Sequence, residues 1–250
     1  MITSTSNRRV KEIQRLHRRR ERDERRRFLI EGEAELRRAL AAGVELETVV
    51  TAPDAPRIEA PDAETLDVSE SVMQSLAYRG GPVAVARMFE TGLERIRLEA
   101  RPLILVVAQI EKPGNLGAML RSASAAGVSA VIAADPVTDL FNPNVVRASL
   151  GALFSVPTAV APTAEALDWL RARRIRVLAT TPEGARPLWD APLAEPSAIV
   201  VGAEHAGLAD EWLQAADECM MVPMPGGDVD SLNAAATAAV VLFEAVRQRR

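Results

Sequence analysis

The chain has 250 residues, 48% of them hydrophobic and 26% charged, with a formal net charge of −4, which is enough apolar content for one large or two smaller domains with real cores. No apolar run approaches the roughly 20 residues of a membrane-spanning helix, no apolar signal core opens the sequence, and the single cysteine excludes an internal disulfide, so we expect a cytoplasmic protein. The two histidines and one cysteine have no metal-ligand spacing, so no metal site is expected.

The first part of the chain alternates short helices and strands. Helices are predicted over residues 10–22, 33–42 and 70–77, and strands over residues 28–30, 46–51 and 83–88. This alternation predicts a small α/β layer structure. We place a first domain at residues 1–94, a charged and non-periodic linker at 95–101, and a second domain at 102–250.

The first predicted helix and the residues after it are intensely basic. Residues 8–27, the basic arm, contain eleven cations and four acidic residues; the cations are Arg8, Arg9, Lys11, Arg15, Arg18, Arg19, Arg20, Arg22, Arg25, Arg26 and Arg27. A mildly acidic protein with one local run of cations indicates an anionic partner that is contacted at this arm. The alternative is a solvated helix face stabilised by intrahelical ion pairs.

The second part of the chain also alternates strands and helices, but its strands are apolar throughout. Strands are predicted over residues 103–108, 130–134, 154–157, 177–180, 198–201 and 219–222, and helices over 116–126, 143–150, 164–173, 208–216 and 231–247. Such strands are typical of a parallel sheet that is covered on both faces.

Three glycine-containing segments each follow one of these predicted strands. They span residues 111–121, 201–208 and 222–233, and we refer to them as the first, second and third glycine segments. The carboxyl ends of parallel strands are where such sheets build ligand sites. The segments lack both the P-loop ending and the Gly-x-Gly-x-x-Gly fingerprint, which argues against an ordinary doubly wound nucleotide-binding enzyme.

Each polar residue of these segments also has a purely structural explanation. Arg121 could form a surface ion pair with Glu111, Glu204 could be a carboxylate favoured at a helix N-terminus, and Ser231 could be a helix N-cap. His205 invites assignment as a general base, but we interpret it as a loop residue. Taken singly, these residues therefore leave structural and functional explanations open.

Together, the three glycine segments resemble the signature motifs of the SpoU/TrmH family of knotted RNA ribose 2′-O-methyltransferases. The opening residues 2–7, with residues 28–32, are similar to the small RNA-binding domain that precedes the catalytic domain in ribosomal-RNA members. The resemblance implies an α/β fold whose C-terminal parallel-sheet domain carries a deep trefoil knot, an obligate homodimer, and S-adenosylmethionine as methyl donor. It also implies large-subunit ribosomal RNA as the substrate, in a group that includes enzymes conferring resistance to thiostrepton-type or orthosomycin antibiotics.

The resemblance assigns roles to individual residues. The implied catalytic residues are Asn115, Arg121, Glu204, Ser231 and Asn233. The implied cofactor-binding residues are Thr180, Thr181, Gly202, Glu204, Gly207, Val222, Pro223, Met224, Ser231 and Leu232. The run of charge in the basic arm, together with the resemblance at Arg121, gives the predicted RNA-binding residues Arg8, Arg9, Lys11, Arg18, Arg19, Arg20 and Arg121. Two alternatives stay open, a non-catalytic RNA-binding or ribosome-assembly protein and a transfer-RNA 2′-O-methyltransferase; the complete polar set argues against the first.

Overall fold

The computed structural model describes residues 1–78, 80–183, 186–204, 206–226 and 231–250. The helices are α1 Arg8–Arg15, α2 Arg19–Arg25, α3 Glu33–Ala41, α4 Glu70–Leu76, α5 Pro113–Ala126, α6 Pro143–Ser149, α7 Ala152–Ser155, α8 Thr163–Ala172, α9 Asp210–Ala215 and α10 Ala234–Gln248. The strands are β1 Arg27–Glu31, β2 Leu46–Thr51, β3 Glu64–Asp67, β4 Val83–Arg87, β5 Leu103–Ala108, β6 Ala130–Ala134, β7 Thr158–Ala161, β8 Arg176–Thr180, β9 Arg186–Pro187, β10 Ser197–Val201 and β11 Glu218–Met221.

The chain forms two compact units. Unit 1 comprises Met1–Glu90 and Asp139–Ser155, and unit 2 comprises Thr91–Thr138 and Val156–Arg250. The segment Asp139–Ser155 was predicted within the second domain but belongs to unit 1. The predicted linker lies within unit 2, where Ile96 is buried in the core.

Unit 1 is built on a four-stranded sheet in the order β1-β4-β2-β3. Strand β4 is antiparallel to β1 and β2, whereas β3 runs parallel to β2. Strand β3 was not predicted from the sequence, because this four-residue strand exposes three of its side chains and has no apolar run. Four phenylalanines pack together inside the unit, with ring centroids of Phe28 and Phe141 4.9 Å apart.

The predicted helix over residues 10–22 is in fact two helices, α1 and α2. The side chain of Arg22 is 1% exposed, and its guanidinium donates to the carbonyl oxygens of Leu16 and His17, both at 2.9 Å. The same guanidinium pairs with the Asp139 carboxylate at 2.6 Å. A buried arginine thus donates hydrogen bonds to carbonyl groups that have no helical partner at the helix break. The charge pattern of the sequence alone could not reveal this role.

Unit 2 is built on a seven-stranded sheet in the order β7-β6-β5-β10-β8-β11-β9, and every adjacent pair is parallel. All residues of β5, β6 and β10 are buried, as a sheet covered on both faces requires. The predicted strand over residues 154–157 is wrong. Helix α7 occupies its first half, where Phe154 packs against Phe28 within unit 1, and the strand β7 follows only at Thr158.

The parallel sheet determines where polar loop residues of unit 2 lie. Strands β8, β10 and β11 are neighbours, so their carboxyl ends open at one edge. Helix α5, which follows β5, packs against α10. Over the described residues, no helix combines the length and apolar character needed to cross a membrane. The deep trefoil knot stays a prediction from the family resemblance.

Candidate functional site

A cavity of about 500 Å³ lies at the carboxyl ends of β8, β10 and β11. Its lining brings together most of the predicted cofactor-binding residues, namely Thr180, Thr181, Gly202, Glu204, Gly207, Val222, Met224, Ser231 and Leu232. Of the predicted cofactor-binding residues, only Pro223 does not line the cavity. The volume and position are those of a small-molecule site in an open parallel sheet.

The cavity wall combines apolar and polar side chains. Sequence reasoning missed several lining residues, among them Glu183, Leu208, Leu213 and Thr237. The Thr181 hydroxyl donates to the Glu183 carboxylate at 2.6 Å, and this hydrogen bond lowers the pKa of Glu183 below its ordinary value. The wall therefore carries an ionised carboxylate at neutral pH. Thr237 could have been found from its spacing, because it lies one helical turn after Asn233.

The second glycine segment folds back on itself at the cavity edge. Ala203 and Gly207 exchange two backbone hydrogen bonds, each 3.0 Å long. A Cβ on Gly202 would overlap the carbonyl oxygen of Gly207, and Gly207 itself has a φ of +66°. Both positions thus need glycine, one for close approach and one for a left-handed backbone. The prediction for His205 falls outside the described residues.

Glu204 is the centre of a polar network that joins all three glycine segments. The Asn115 side-chain amide donates to Glu204 Oε1 at 2.6 Å, and the Asn233 amide donates to the same oxygen. The Lys112 ammonium pairs with Glu204 Oε2. Only 15% of the Glu204 side chain is exposed, so the charge is held by these donors rather than by water. The network brings together three predicted catalytic residues.

Asn233 has a structural task as well as a place in the network. Its Oδ1 accepts from the backbone N–H groups of Ala235 at 2.9 Å and Ala236 at 3.3 Å, so Asn233 is the N-cap of α10. The expectation that Ser231 begins this helix is therefore wrong; Ser231 lines the cavity instead. Because Oδ1 caps the helix, the amide nitrogen must face Glu204.

Lys112 is the member of the network that sequence reasoning missed. It immediately precedes α5 and contacts Glu204 across 92 residues of sequence. A signal was available, because the chain has only two lysines among thirty basic residues and one of them opens the first glycine segment. A charged partner for a nearly buried glutamate is a reasonable expectation for that position.

Arg121 stands apart from the network. Helix α5 begins at Pro113, three residues before the predicted start, so Gly117 and Arg121 share one face of a continuous helix. Arg121 is exposed, and within the described part of the chain it makes no hydrogen bond or ion pair, with Glu111 or any other residue. Its guanidinium is therefore available to an anionic ligand.

Comparison with known families decides the class to which this site belongs. The SpoU rRNA methylase family matches residues 102–243, more than half of the chain and all three glycine segments. The chain belongs to the SpoU rRNA methylase family. The predicted family and α/β fold class are thereby confirmed.

Two relatives of known name illustrate how far the similarity extends. The SpoU-family chain is 33% identical to the 23S rRNA (guanosine(2553)-2′-O)-methyltransferase RlmP of Bacillus subtilis, over 97% of each protein. It is 37% identical to the 23S rRNA (uridine(2479)-2′-O)-methyltransferase of Streptomyces viridochromogenes. That second similarity spans 67% of this chain and 60% of the relative.

Two solved structures share the complete fold. An RNA 2′-O ribose methyltransferase is 46% identical, with a TM-score of 0.88 over 99% of this chain and 98% of that one. The SpoU methyltransferase AviRb from Streptomyces viridochromogenes, in complex with the cofactor AdoMet, is 30% identical, with a TM-score of 0.90 over 97% and 99%. Both similarities include the N-terminal unit as well as the sheet domain.

The N-terminal part of this SpoU-family protein matches a domain of its own, the MRM3-like substrate binding domain, over residues 7–86. The basic arm lies at its start, and several of its cations form the intrahelical ion pairs of the alternative explanation. Intrahelical pairs join Arg8 to Glu12, Arg19 to Asp23 and Arg20 to Glu24.

Other cations of the basic arm are differently placed. Arg9 reaches Glu64 at 2.5 Å, and this contact raises the pKa of Arg9 and lowers that of Glu64. Lys11 and Arg18 are exposed and make no ion pair with any described residue. Part of the arm is therefore internally neutralised, and part is available to an anion.

Proposed function

We propose that this protein transfers a methyl group from S-adenosylmethionine to a ribose 2′-hydroxyl of large-subunit ribosomal RNA. The observation that carries the proposal is the position of Glu204, which lines the cavity and at the same time ties Asn115 and Asn233 together. Membership of the SpoU family and the 23S rRNA substrates of the named relatives support the same reaction.

The cavity suits S-adenosylmethionine in size and in chemistry. Leu208, Leu213 and Leu232 supply apolar wall for an adenine ring, and the ionised Glu183 supplies an acceptor for ribose hydroxyls. Gly202 and Gly207 line the cavity, and neither carries a side chain of its own that would keep a ligand from the backbone. When bound, the cofactor supplies an electrophilic methyl group on sulfonium.

The residues of the chain then have to orient the nucleophile. We assign Arg121 to the phosphate beside the target ribose, where its forked guanidinium binds oxygen atoms in pairs. An arginine resists deprotonation, so Arg121 polarises the 2′-hydroxyl and does not take its proton. The oxygen–carbon bond forms as the carbon–sulfur bond breaks, which leaves a neutral thioether, and the hydroxyl proton is released late to water. Glu204 fixes Asn115 and Asn233 at the junction of the three segments, and alignment of this kind accounts for a large part of catalysis. Ser231 lines the same cavity.

The same proposal includes a homodimer in the cytoplasm and the deep knot of the family. A homodimer is supported by α10, where Phe243 is 50% exposed and small alanines would let a second backbone approach closely. The measurement that bears on it is the mass of the purified protein by sedimentation, expected at twice 26.9 kDa.

The test of the reaction is transfer of labelled methyl from S-adenosylmethionine to 23S rRNA fragments and to a transfer-RNA pool. We expect label on one ribosomal fragment, with resistance to alkaline cleavage at the labelled nucleotide, because 2′-O-methylation removes the attacking hydroxyl. Arg121→Ala should reduce transfer by at least about 10²-fold while cofactor affinity stays within twofold, since Arg121 does not line the cavity.

The matched control is Arg171→Ala, which removes an exposed arginine of α8. It should leave transfer unchanged. Label on the transfer-RNA pool alone would favour the transfer-RNA alternative. Absence of label on any RNA, together with absent cofactor binding, would support the non-catalytic RNA-binding alternative.

A further inference from the structure

The one tyrosine of the chain lies unusually exposed in unit 1. Tyr78 follows α4 and is 79% exposed, more than any other large hydrophobic side chain in the described residues. It falls within the range that matches a substrate-binding domain. An aromatic ring left in water contributes little to the fold, so its exposure calls for a functional explanation.

An arginine covers one face of the Tyr78 ring. The guanidinium carbon of Arg147 lies 4.5 Å from the ring centroid. Asn144, one turn earlier on α6, accepts a hydrogen bond from the same guanidinium. A cation over one ring face is attracted to it, and the 79% exposure of Tyr78 leaves ring surface accessible to a ligand.

A buried carboxylate fixes both partners. Glu31 Oε2 accepts from the Tyr78 backbone N–H at 3.0 Å and lies 3.6 Å from Arg147 Nη1. The other oxygen, Oε1, is buried and has no hydrogen-bond partner among the described residues. Burying a half-satisfied carboxylate costs stability. Its described contacts serve to position Tyr78 and Arg147.

We propose that Tyr78 and Arg147 form a stacking surface for an unpaired base of the RNA substrate, an inference that rests on the proposed function. RNA-binding proteins recognise unpaired nucleotides by stacking their bases on aromatic rings and guanidinium planes. A pre-positioned ring loses little entropy on binding, so the surface is ready before RNA arrives. A purine should stack best because it has the larger ring face.

The lone tyrosine allows a direct test. Replacement of tyrosine by 3-fluorotyrosine labels Tyr78 alone, so the full-length protein gives one tyrosine fluorine resonance. The probes are a twelve-nucleotide oligoadenylate and an abasic ribose-phosphate chain of the same length. We expect the resonance to shift with the oligoadenylate and not with the abasic chain, because only the first carries bases.

Variants measure how much the stacking surface of Tyr78 and Arg147 contributes to RNA binding. Tyr78→Ala should weaken binding of the oligoadenylate, and raise the KM for a 23S rRNA fragment, roughly tenfold, whereas Tyr78→Phe should stay within twofold. Arg147→Lys keeps the charge, loses the planar group and should behave more like Tyr78→Ala. Trp189→Ala, which removes an exposed aromatic ring of unit 2, is the control and should have no effect.

The outcomes separate this inference from the proposed function. If wild-type protein methylates ribosomal RNA but the fluorine resonance shifts equally with the abasic chain, or Tyr78→Ala binds RNA normally, the stacking surface is refuted and the methyltransferase stands. A resonance that instead shifts with protein concentration alone would identify a protein–protein contact and would also refute it.

Discussion

Asn233 shows how one side chain can serve both the fold and the site. Its amide oxygen caps α10 while its amide nitrogen donates to Glu204 and, at 3.3 Å, to Asn115 Oδ1. The cap fixes which end of the amide faces the network. The two tasks are therefore coupled in the wild-type protein, but they can be separated by substitution.

Asn233→Ser should retain the helix cap and lose the network. Serine is as good an N-cap as asparagine, so we expect the free energy of unfolding to change by less than about 0.5 kcal/mol. A serine hydroxyl is too short to replace the amide nitrogen at Glu204, so methyl transfer should fall by about 10²-fold through loss of alignment. Urea unfolding and single-turnover transfer measure the two effects.

The comparison variant is Asn233→Ala, which removes both tasks. It should lose activity to the same degree and, in addition, about 1 kcal/mol of stability for the missing cap. If Asn233→Ser transfers methyl groups at the wild-type rate, the network has no part in alignment and Glu204 serves only the fold.

At the scale of elements, the second glycine segment connects β10 to α9 and forms one edge of the cavity. Gly202→Ala should disrupt it, because the new Cβ would meet the Gly207 carbonyl oxygen, a backbone atom that cannot turn aside. We expect the affinity for S-adenosylmethionine to drop at least about tenfold, with a loss of stability of about 1–3 kcal/mol from overpacking. Calorimetric titration with the cofactor measures the first effect directly.

The control for this substitution is Gly226→Ala in the third glycine segment. An added Cβ at Gly226 would meet no atom of the described residues within 4 Å, and the φ of Gly226 lies outside the left-handed region. Cofactor affinity should therefore be unchanged. Equal losses in both variants would mean that glycine is required for loop flexibility and not for close backbone approach.

Elements were predictable from the sequence where their pattern is local. Strands β2, β5 and β6 have the predicted bounds, because long apolar runs between turn residues have few other solutions. The break between α1 and α2 was not predictable, since it depends on Arg22 reaching Asp139, 117 residues away in sequence. The N-cap at Asn233 was missed because Ser231 is an equally good capping residue by type.

At the scale of the whole molecule, the site residues could be predicted as a group although their contacts could not. The carboxyl ends of parallel strands lie at one edge of the sheet, so residues from the three glycine segments were expected to lie together. In the structure, Glu204 joins them. The place of Lys112 in the network could not be predicted without knowing that Glu204 is nearly buried and therefore needs a charged partner. The assignment of Asp139–Ser155 to unit 1 was unpredictable because local periodicity does not tell which core an amphipathic helix joins.

The distribution of charge over the molecule predicts how RNA binding responds to salt. The net charge is −4, so attraction to RNA must come from local cations such as Lys11 and Arg18, which no described carboxylate neutralises. Affinity should fall linearly on a logarithmic scale as salt rises, through release of counterions from the RNA. Lys11→Gln with Arg18→Gln should reduce the magnitude of that slope by about 2, because each removed cation leaves roughly one phosphate group without its neutralising partner.

Arg37→Gln provides the matched comparison, because Arg37 is an exposed arginine of unit 1 outside the basic arm and already pairs with Glu33 at 2.7 Å. For Arg37→Gln, the slope of RNA affinity against salt concentration on logarithmic scales should equal that of the wild type. Filter binding of a 23S rRNA fragment between 50 and 200 mM salt, roughly the range over which such slopes are resolved, is the measurement. An affinity that stays flat over this range would mean that the basic arm is a solvated helix face, and that RNA is held by base contacts alone.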